Sequence, residues 1–337
     1  MRNPSHPRTL VALAAVALAL CLRVSGAGAT NPNFPDGAGN VRLNAPDDPE
    51  FDRAEPDDAD GGYVPGLSVF DEQFELFGFA PASTATTATY KDPARLGQPQ
   101  ISGVGADYAW ETSIGNPNVV IAILDTGIRW ENKDLRKRIF LNCGELPAPE
   151  DANGRTLKAN SPGCRDKTKA YDINGDGSFD VDDYANDPRV HDANHNGILD
   201  AEDLILTFSD GTDHDHNGYV NDIAGWDFFD DDNDPFDASS YSSAHNHGTG
   251  RAKDAAQETN DASGGAGVCP RCRIAPLRVW DTFVPDSDNW AQATAYAADM
   301  GFRVTENALG AIYNSPFARQ AAAYAISKGV TIMSVSS

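Results

Sequence analysis

Twenty acidic side chains and a single arginine, Arg189, lie between Asp172 and Asp237. A stretch with that charge density repels itself and folds only if something supplies opposite charge. One arginine cannot do so, whereas divalent cations can. Three segments repeat within it: DINGDGSFDVDD (172–183), DANHNGILDAED (192–203) and DHDHNGYVNDIA (213–224). Each carries oxygen-bearing side chains at positions 1, 3 and 5, a glycine at position 6 and another polar oxygen at position 9. That is the arrangement of a calcium loop, in which carboxylates turn inward and the glycine allows the sharp bend. The expected ligands of the first loop are Asp172, Asn174, Asp176, Ser178, Asp180 and Asp183. Those of the second are Asp192, Asn194, Asn196, Ile198, Asp200 and Asp203. The third offers Asp213, Asp215, Asn217, Tyr219 and Asp222, but has Ala224 where the twelfth-position acid is expected. Asp222 or the run Asp230–Asp234 could make up the deficit. The expectation is a structural Ca2+ module over 165–240 with EF-hand- or dockerin-like loops. Paired helices are not expected, because Pro188 interrupts the first exit.

On either side of this insert the pattern is α/β. VVIAIL (119–124) is a continuous apolar run, as a strand buried on both faces requires. After the insert come a helical stretch, HGTGRAKDAAQE, and a strand, RIAPLRVW (273–280). A helix from Asp288 to Met300 stops at Gly301, and a strand, RVTENAL, follows at 303–309. The next helix has Ser315 as N-cap and Pro316 in its first turn and stops at Gly329. VTIMSVS (330–336) closes the series. Such alternation predicts a parallel sheet with helices on both faces and a site at the carboxyl ends of its strands.

The first 29 residues read as a secretory leader, with Arg2 and Arg8 before the apolar run LVALAAVALALCL and small residues before a cut near Thr30. The expected location is therefore outside the cell or in the periplasm, with no membrane contact after cleavage. Removing the leader's three arginines takes the formal charge from −24 to −27. That charge repels phosphate, so nucleic acid is not an expected partner. Residues 30–97 are rich in Pro, Gly, Asp, Ala and Thr and read as a propeptide or spacer, in which FDEQFELFGF (70–79) could dock. The globular part is expected to span 98–337. Four cysteines remain after the leader: Cys143, Cys164, Cys269 and Cys272. An even count in an exported chain favours disulfides. Local pairing is the simplest of three connectivities, with a zinc site as the alternative.

The strand VVIAIL runs into Asp125-Thr126-Gly127. A carboxylate at the end of a buried strand needs a partner or a chemical role. In one reading D-T-G is half of an aspartic dyad, which would require a dimer because there is no second copy. In the other, Asp125 orients a histidine that acts as general base. His247, in NHGTG at the start of a helical stretch, is the best-placed candidate.

VVIAILDTGI followed by NHGTG resembles the aspartate and histidine signatures of the subtilisin-like serine proteases, or subtilases. NGYVNDIAGWDFFDDDNDPFD resembles the calcium-associated stretch before the histidine in that family, and GVCPRCRIAPLRVWD the strand after it. The resemblance covers roughly 98–337. It implies peptide hydrolysis, with Asp125 and His247 as catalytic residues. ENALG resembles the substrate-binding edge, so Ala308, Leu309 and Gly310 would pair with an extended polypeptide as an added strand. Five features depart from the family pattern, two of them being the polar stretch RAKDAAQ and the cysteines of GVCPRC, where small residues are common in the family. Gly250 stands where a histidine usually follows His-Gly-Thr. No Gly-Thr-Ser-Met-Ala-like nucleophile motif occurs, and no asparagine follows the strand matched by GVTIMSVSS. The expectation is the N-terminal part of a subtilase, inactive alone. The alternative is a non-catalytic secreted calcium-binding protein derived from a protease.

Overall fold

The computed structural model describes Leu76 and residues 104–110, 112–238, 246–261, 263–281, 286–308, 310 and 315–334. The leader, the rest of 30–97, Leu309 and the serines at 336 and 337 lie outside the described residues.

Five strands form one parallel sheet in the order β2-β3-β1-β4-β5. They are β1 (Val120–Asp125), β2 (Trp226–Asp227), β3 (Arg273–Arg278), β4 (Val304–Asn307) and β5 (Thr331–Ser334). β1 is central, and all six of its residues are buried. Its register on β3 runs from Val120 opposite Arg273 to Asp125 opposite Arg278. On its other edge, Ile121 to Ile123 pair with Val304 to Glu306 of β4. β4 pairs with β5 from Val304 opposite Thr331 to Asn307 opposite Ser334, and the last two residues of the expected strand, 335 and 336, lie outside the described residues.

Successive side chains of β1 point to opposite faces, as the two-residue period of a strand dictates. Ile121 and Ile123 pack on the side of α3 (His247–Ala256), with Ala252 and Ala256. Val120, Ala122 and Leu124 pack on the other side against Ala293, Tyr296 and Ala297 of α4 (Ser287–Asp299). Helices therefore cover both faces, as expected for a parallel sheet. α5 (Pro316–Ser327) packs its small residues on α4 and on β5. It begins as its sequence dictates: the Ser315 hydroxyl accepts the Ala318 N–H, and Pro316 occupies the first turn. A short helix, α1 (Ala106–Trp110), buries Ala106 and Trp110 with Leu76, the one described residue of the 70–79 run.

The acidic insert shares the core of the sheet domain. A 3-10 turn (Val181–Tyr184) follows the first repeat and α2 (Ala201–Phe208) the second. Val181, Tyr184, Leu204 and Ile205 lie in the same apolar cluster as Ile121 and Ile123. The third repeat leads directly into β2, with Ile223 and Ala224 buried. Gly225 closes that turn at φ +101°, and a Cβ there would lie 1.9 Å from the Pro276 carbonyl oxygen of β3. No helix among the described residues is long and apolar enough to cross a membrane.

Because the insert and the sheet share one core, Leu204→Ala should destabilise the whole domain by about 2–5 kcal/mol in a single transition. Urea unfolding followed by tryptophan fluorescence reads this. An unchanged midpoint would mean that the insert packs separately.

Candidate functional site

Asp125 ends β1 with no exposed surface. Its Oδ1 accepts the Thr126 N–H at 2.7 Å. His247, the first residue of α3, brings Nδ1 to 2.8 Å from Oδ1 and 2.9 Å from Oδ2. A carboxylate only accepts, so Nδ1 carries the proton and donates it. The neutral ring then has its lone pair on Nε2, and Nε2 makes no hydrogen bond among the described residues. Trp280 lies edge-on to the imidazole at 5.8 Å.

The glycines of both motifs make this approach possible. Gly127 turns at φ +96°, and a Cβ there would lie 2.6 Å from the Pro235 carbonyl oxygen. A Cβ on Gly248 would lie 2.3 Å from the Gly127 carbonyl oxygen and 3.0 Å from Asp125 Cβ. Helix α3 therefore starts in contact with the turn after β1. Two hydrogen bonds cross the contact. The Gly248 N–H donates to Thr126 Oγ1 at 3.1 Å, and the Arg129 N–H donates to Thr249 Oγ1 at 3.0 Å. Gly250 faces open space, so the missing histidine leaves no packing fault there.

The Asp125 hydrogen bond raises the His247 pKa above its usual 6.5, and partial burial opposes it. Glu306 of β4 is pushed up to about 7, first by burial and then by the Asp125 charge. Sequence reading passed over Glu306, because a single acid in a strand carries no motif. Arg278, opposite Asp125 on β3, hydrogen-bonds Asp227 and Asp230 and so spends its charge within the sheet. Ala308 and Gly310 follow the carboxyl end of β4, beside β1.

The three acidic repeats share one internal wiring. The first-position carboxylates of Asp172, Asp192 and Asp213 each accept the N–H of their loop's glycine at position 6. The third-position oxygens of Asn174, Asn194 and Asp215 accept the fifth N–H. The fifth-position oxygens of Asp176, Asn196 and Asn217 accept the seventh. In the first two loops the ninth residue, Asp180 or Asp200, caps the following helix. The twelfth, Asp183 or Asp203, completes that capping box. Burial pushes Asp180 up to about 6 and Asp183 up to about 7. Asp222 accepts from Asn142, Asn217 and Tyr296, and burial pushes it up to about 7. Among the described residues, three carboxylates come within 4.8 Å of one another at the third loop only: Glu145, Asp213 and Asp215. Glu145 was not legible in the sequence.

Both local cysteine pairs form disulfides, Cys143–Cys164 and Cys269–Cys272.

A doubly covered parallel sheet thus brings a buried carboxylate to a histidine at its carboxyl edge. The sequence profile of the subtilase family, Peptidase_S8, matches residues 116–337, and the chain belongs to that family. A thermophilic serine proteinase of Bacillus sp. (strain AK1) is 38% identical over 131 residues, 39% of this chain and 31% of that protein. Thermitase of Thermoactinomyces vulgaris is 35% identical over 114 residues, 33% of this chain and 38% of thermitase. The chain thus matches about a third of the length of each of these relatives. A solved protease of Pseudoalteromonas arctica PAMC 21717 aligns at 20% identity and TM-score 0.36, over 71% of this chain and 55% of that one.

The sign of the His247 shift sets a test. A pKa raised in the folded state means that the Asp125–imidazolium pair stabilises fully below about 6.5. That contribution fades as pH rises through the folded value. Asp125→Asn should return the His247 titration, read by NMR, toward 6.5 or below. An unchanged titration would show that Asp125 does not govern this ring.

Proposed function

We propose that the chain carries the general base and orienting carboxylate of an exported, calcium-stabilised serine endopeptidase of subtilisin type. One observation carries the reading. His247 holds Nδ1 on Asp125 while Nε2 makes no hydrogen bond among the described residues, the disposition a base needs to take a proton from an attacking hydroxyl. Asp125 fixes the tautomer and stabilises the imidazolium that forms. An extended polypeptide would lie along Ala308, Leu309 and Gly310 as an added strand, its scissile carbonyl near the imidazole. Hydrolysis also requires a serine nucleophile and an oxyanion donor. These 337 residues contain no motif for either, so this polypeptide by itself is inactive in our reading.

The leader-like start and the two disulfides support export to an oxidising compartment. Calcium would be held by the three repeats, where it would neutralise loop carboxylates beyond those paired with Arg136, Lys137, Arg189 and Arg278. Their shared wiring and the Glu145–Asp213–Asp215 cluster support that assignment. A second reading, carried by the acidic repeats alone, is a secreted calcium-binding protein of protease descent.

Sequencing the reading frame past codon 337 separates the two. In-frame Gly-Thr-Ser favours the peptidase, and in its product His247→Ala should lower kcat by about a millionfold. A product that keeps its activity without His247 would overturn the assignment. A stop codon with a stable secreted product of this length would favour the binding protein. Calcium at a hundred times its Kd should add about 2.7 kcal/mol of stability per site. A melting temperature unmoved by millimolar calcium or by a chelator would remove calcium from the proposal.

A further inference from the structure

The third repeat lacks an acid at position 12, and the fold explains why. The chain turns there into β2, and Ala224 is fully buried in the core. A carboxylate on that residue would sit among apolar side chains. In the other two loops the twelfth-position acid ties back the start of its loop. Asp183 Oδ1 accepts the second and third N–H groups, from Ile173 and Asn174, at 2.8 and 3.2 Å. Asp203 Oδ1 does the same for Ala193 and Asn194 at 2.6 and 3.3 Å.

In the third loop the second and third residues are His214 and Asp215. Their N–H groups donate to Glu145 Oε1 at 2.8 and 3.0 Å. Glu145, which is far away in sequence, therefore makes the two contacts that position 12 makes elsewhere. It is 1% exposed, and its other oxygen, Oε2, is buried with no hydrogen-bond partner among the described residues. Burial raises its pKa. Its carboxylate stands within 4.8 Å of those of Asp213 and Asp215.

The turn around Glu145 is built onto the loop. Asn142 Nδ2 donates to Asp215 Oδ2 at 2.9 Å, and the Gly144 N–H donates to Asn142 Oδ1 at 2.9 Å. A Cβ on Gly144 would lie 2.8 Å from Asp215 Oδ2. The Cys143–Cys164 disulfide and the Arg165 N–H bond to the Cys143 carbonyl, at 2.7 Å, secure the same turn.

We propose that Glu145 is the missing twelfth ligand of the third calcium loop, binding the ion through Oε2 together with Asp213 and Asp215. The proposal rests on the calcium reading of the repeats and adds a ligand from outside them. A buried carboxylate oxygen with no donor among the described residues, on a carboxylate within 4.8 Å of two others, is a position that a hard divalent cation satisfies.

Equilibrium calcium titration of the full chain tests this. Glu145→Gln keeps an oxygen for the two N–H groups and removes the charge. It should lose one site of the unaltered protein, or weaken it at least tenfold. Asp213→Asn should lose the same site, and the double variant should lose no second one. Asp203→Asn should lose a different site. The proposal is overturned if Glu145→Gln keeps every site at full affinity while Asp213→Asn loses one. If the unaltered protein binds no calcium at millimolar concentration, the calcium reading itself fails and Glu145's role with it. Should Glu145→Gln not fold, a calcium-loaded crystal of the unaltered chain decides. It should show Oε2 at about 2.3–2.6 Å from the ion, and an ion with Glu145 outside its shell would overturn the assignment.

Discussion

A carboxylate with no exposed surface is unfavourable by several kcal/mol unless donors meet it. Asp125 stands in that position, and the structure around it is arranged to supply those donors. One is the next residue's own N–H, provided by the turn at Thr126. The other is an imidazole, and delivering it requires a helix to start against the strand end. Gly127 and Gly248 permit that start, because any side chain at either would strike main-chain atoms. The central place of β1 fixes the location of the meeting, and β3 and β4 hold it on both sides. The geometry of the Asp125–His247 pair thus follows from main-chain packing more than from side-chain adjustment.

The acidic insert poses the same problem many times over. Asp180, Asp183, Asp200, Asp203 and Asp222 are all buried. Asp180, Asp183, Asp200 and Asp203 accept main-chain N–H groups of their own loop, which holds each loop to one shape, and Asp222 accepts from side chains. Those donors are neutral. They relieve desolvation without cancelling the repulsion among the carboxylates. The insert is also not a detachable module, because its short helices pack their apolar faces into the core of the sheet.

Much of this was legible in the sequence because the signals were local. VVIAIL read as a strand buried on both faces, Ser315-Pro316 announced a helix start, and the spacing of the repeats described their loops. The Asp125–His247 pairing depended on two short motifs whose glycines encode a close approach. What escaped was non-local. Glu145 sits in FLNCGELP, where one acid among apolar and small residues suggests nothing. Only the fold brings it to the third loop. The deficit at Ala224 could be read, but its remedy could not, because no sequence spacing links the two positions. Glu306 and Trp280 escaped similarly, since strand register and helix placement, and no motif, bring them near His247.

The twelfth-role acids differ in one respect. Asp183 and Asp203 each serve a loop and the first turn of a helix whose side chains reach the central core. Anything that disturbs either carboxylate is transmitted inward along the helix it caps. Glu145 caps nothing, and the loop it serves leads into a strand at the sheet's edge. Three loops with the same internal wiring are thus soldered to different circuits: two to the interior of the domain, and one to a border stapled by a sulfur bridge.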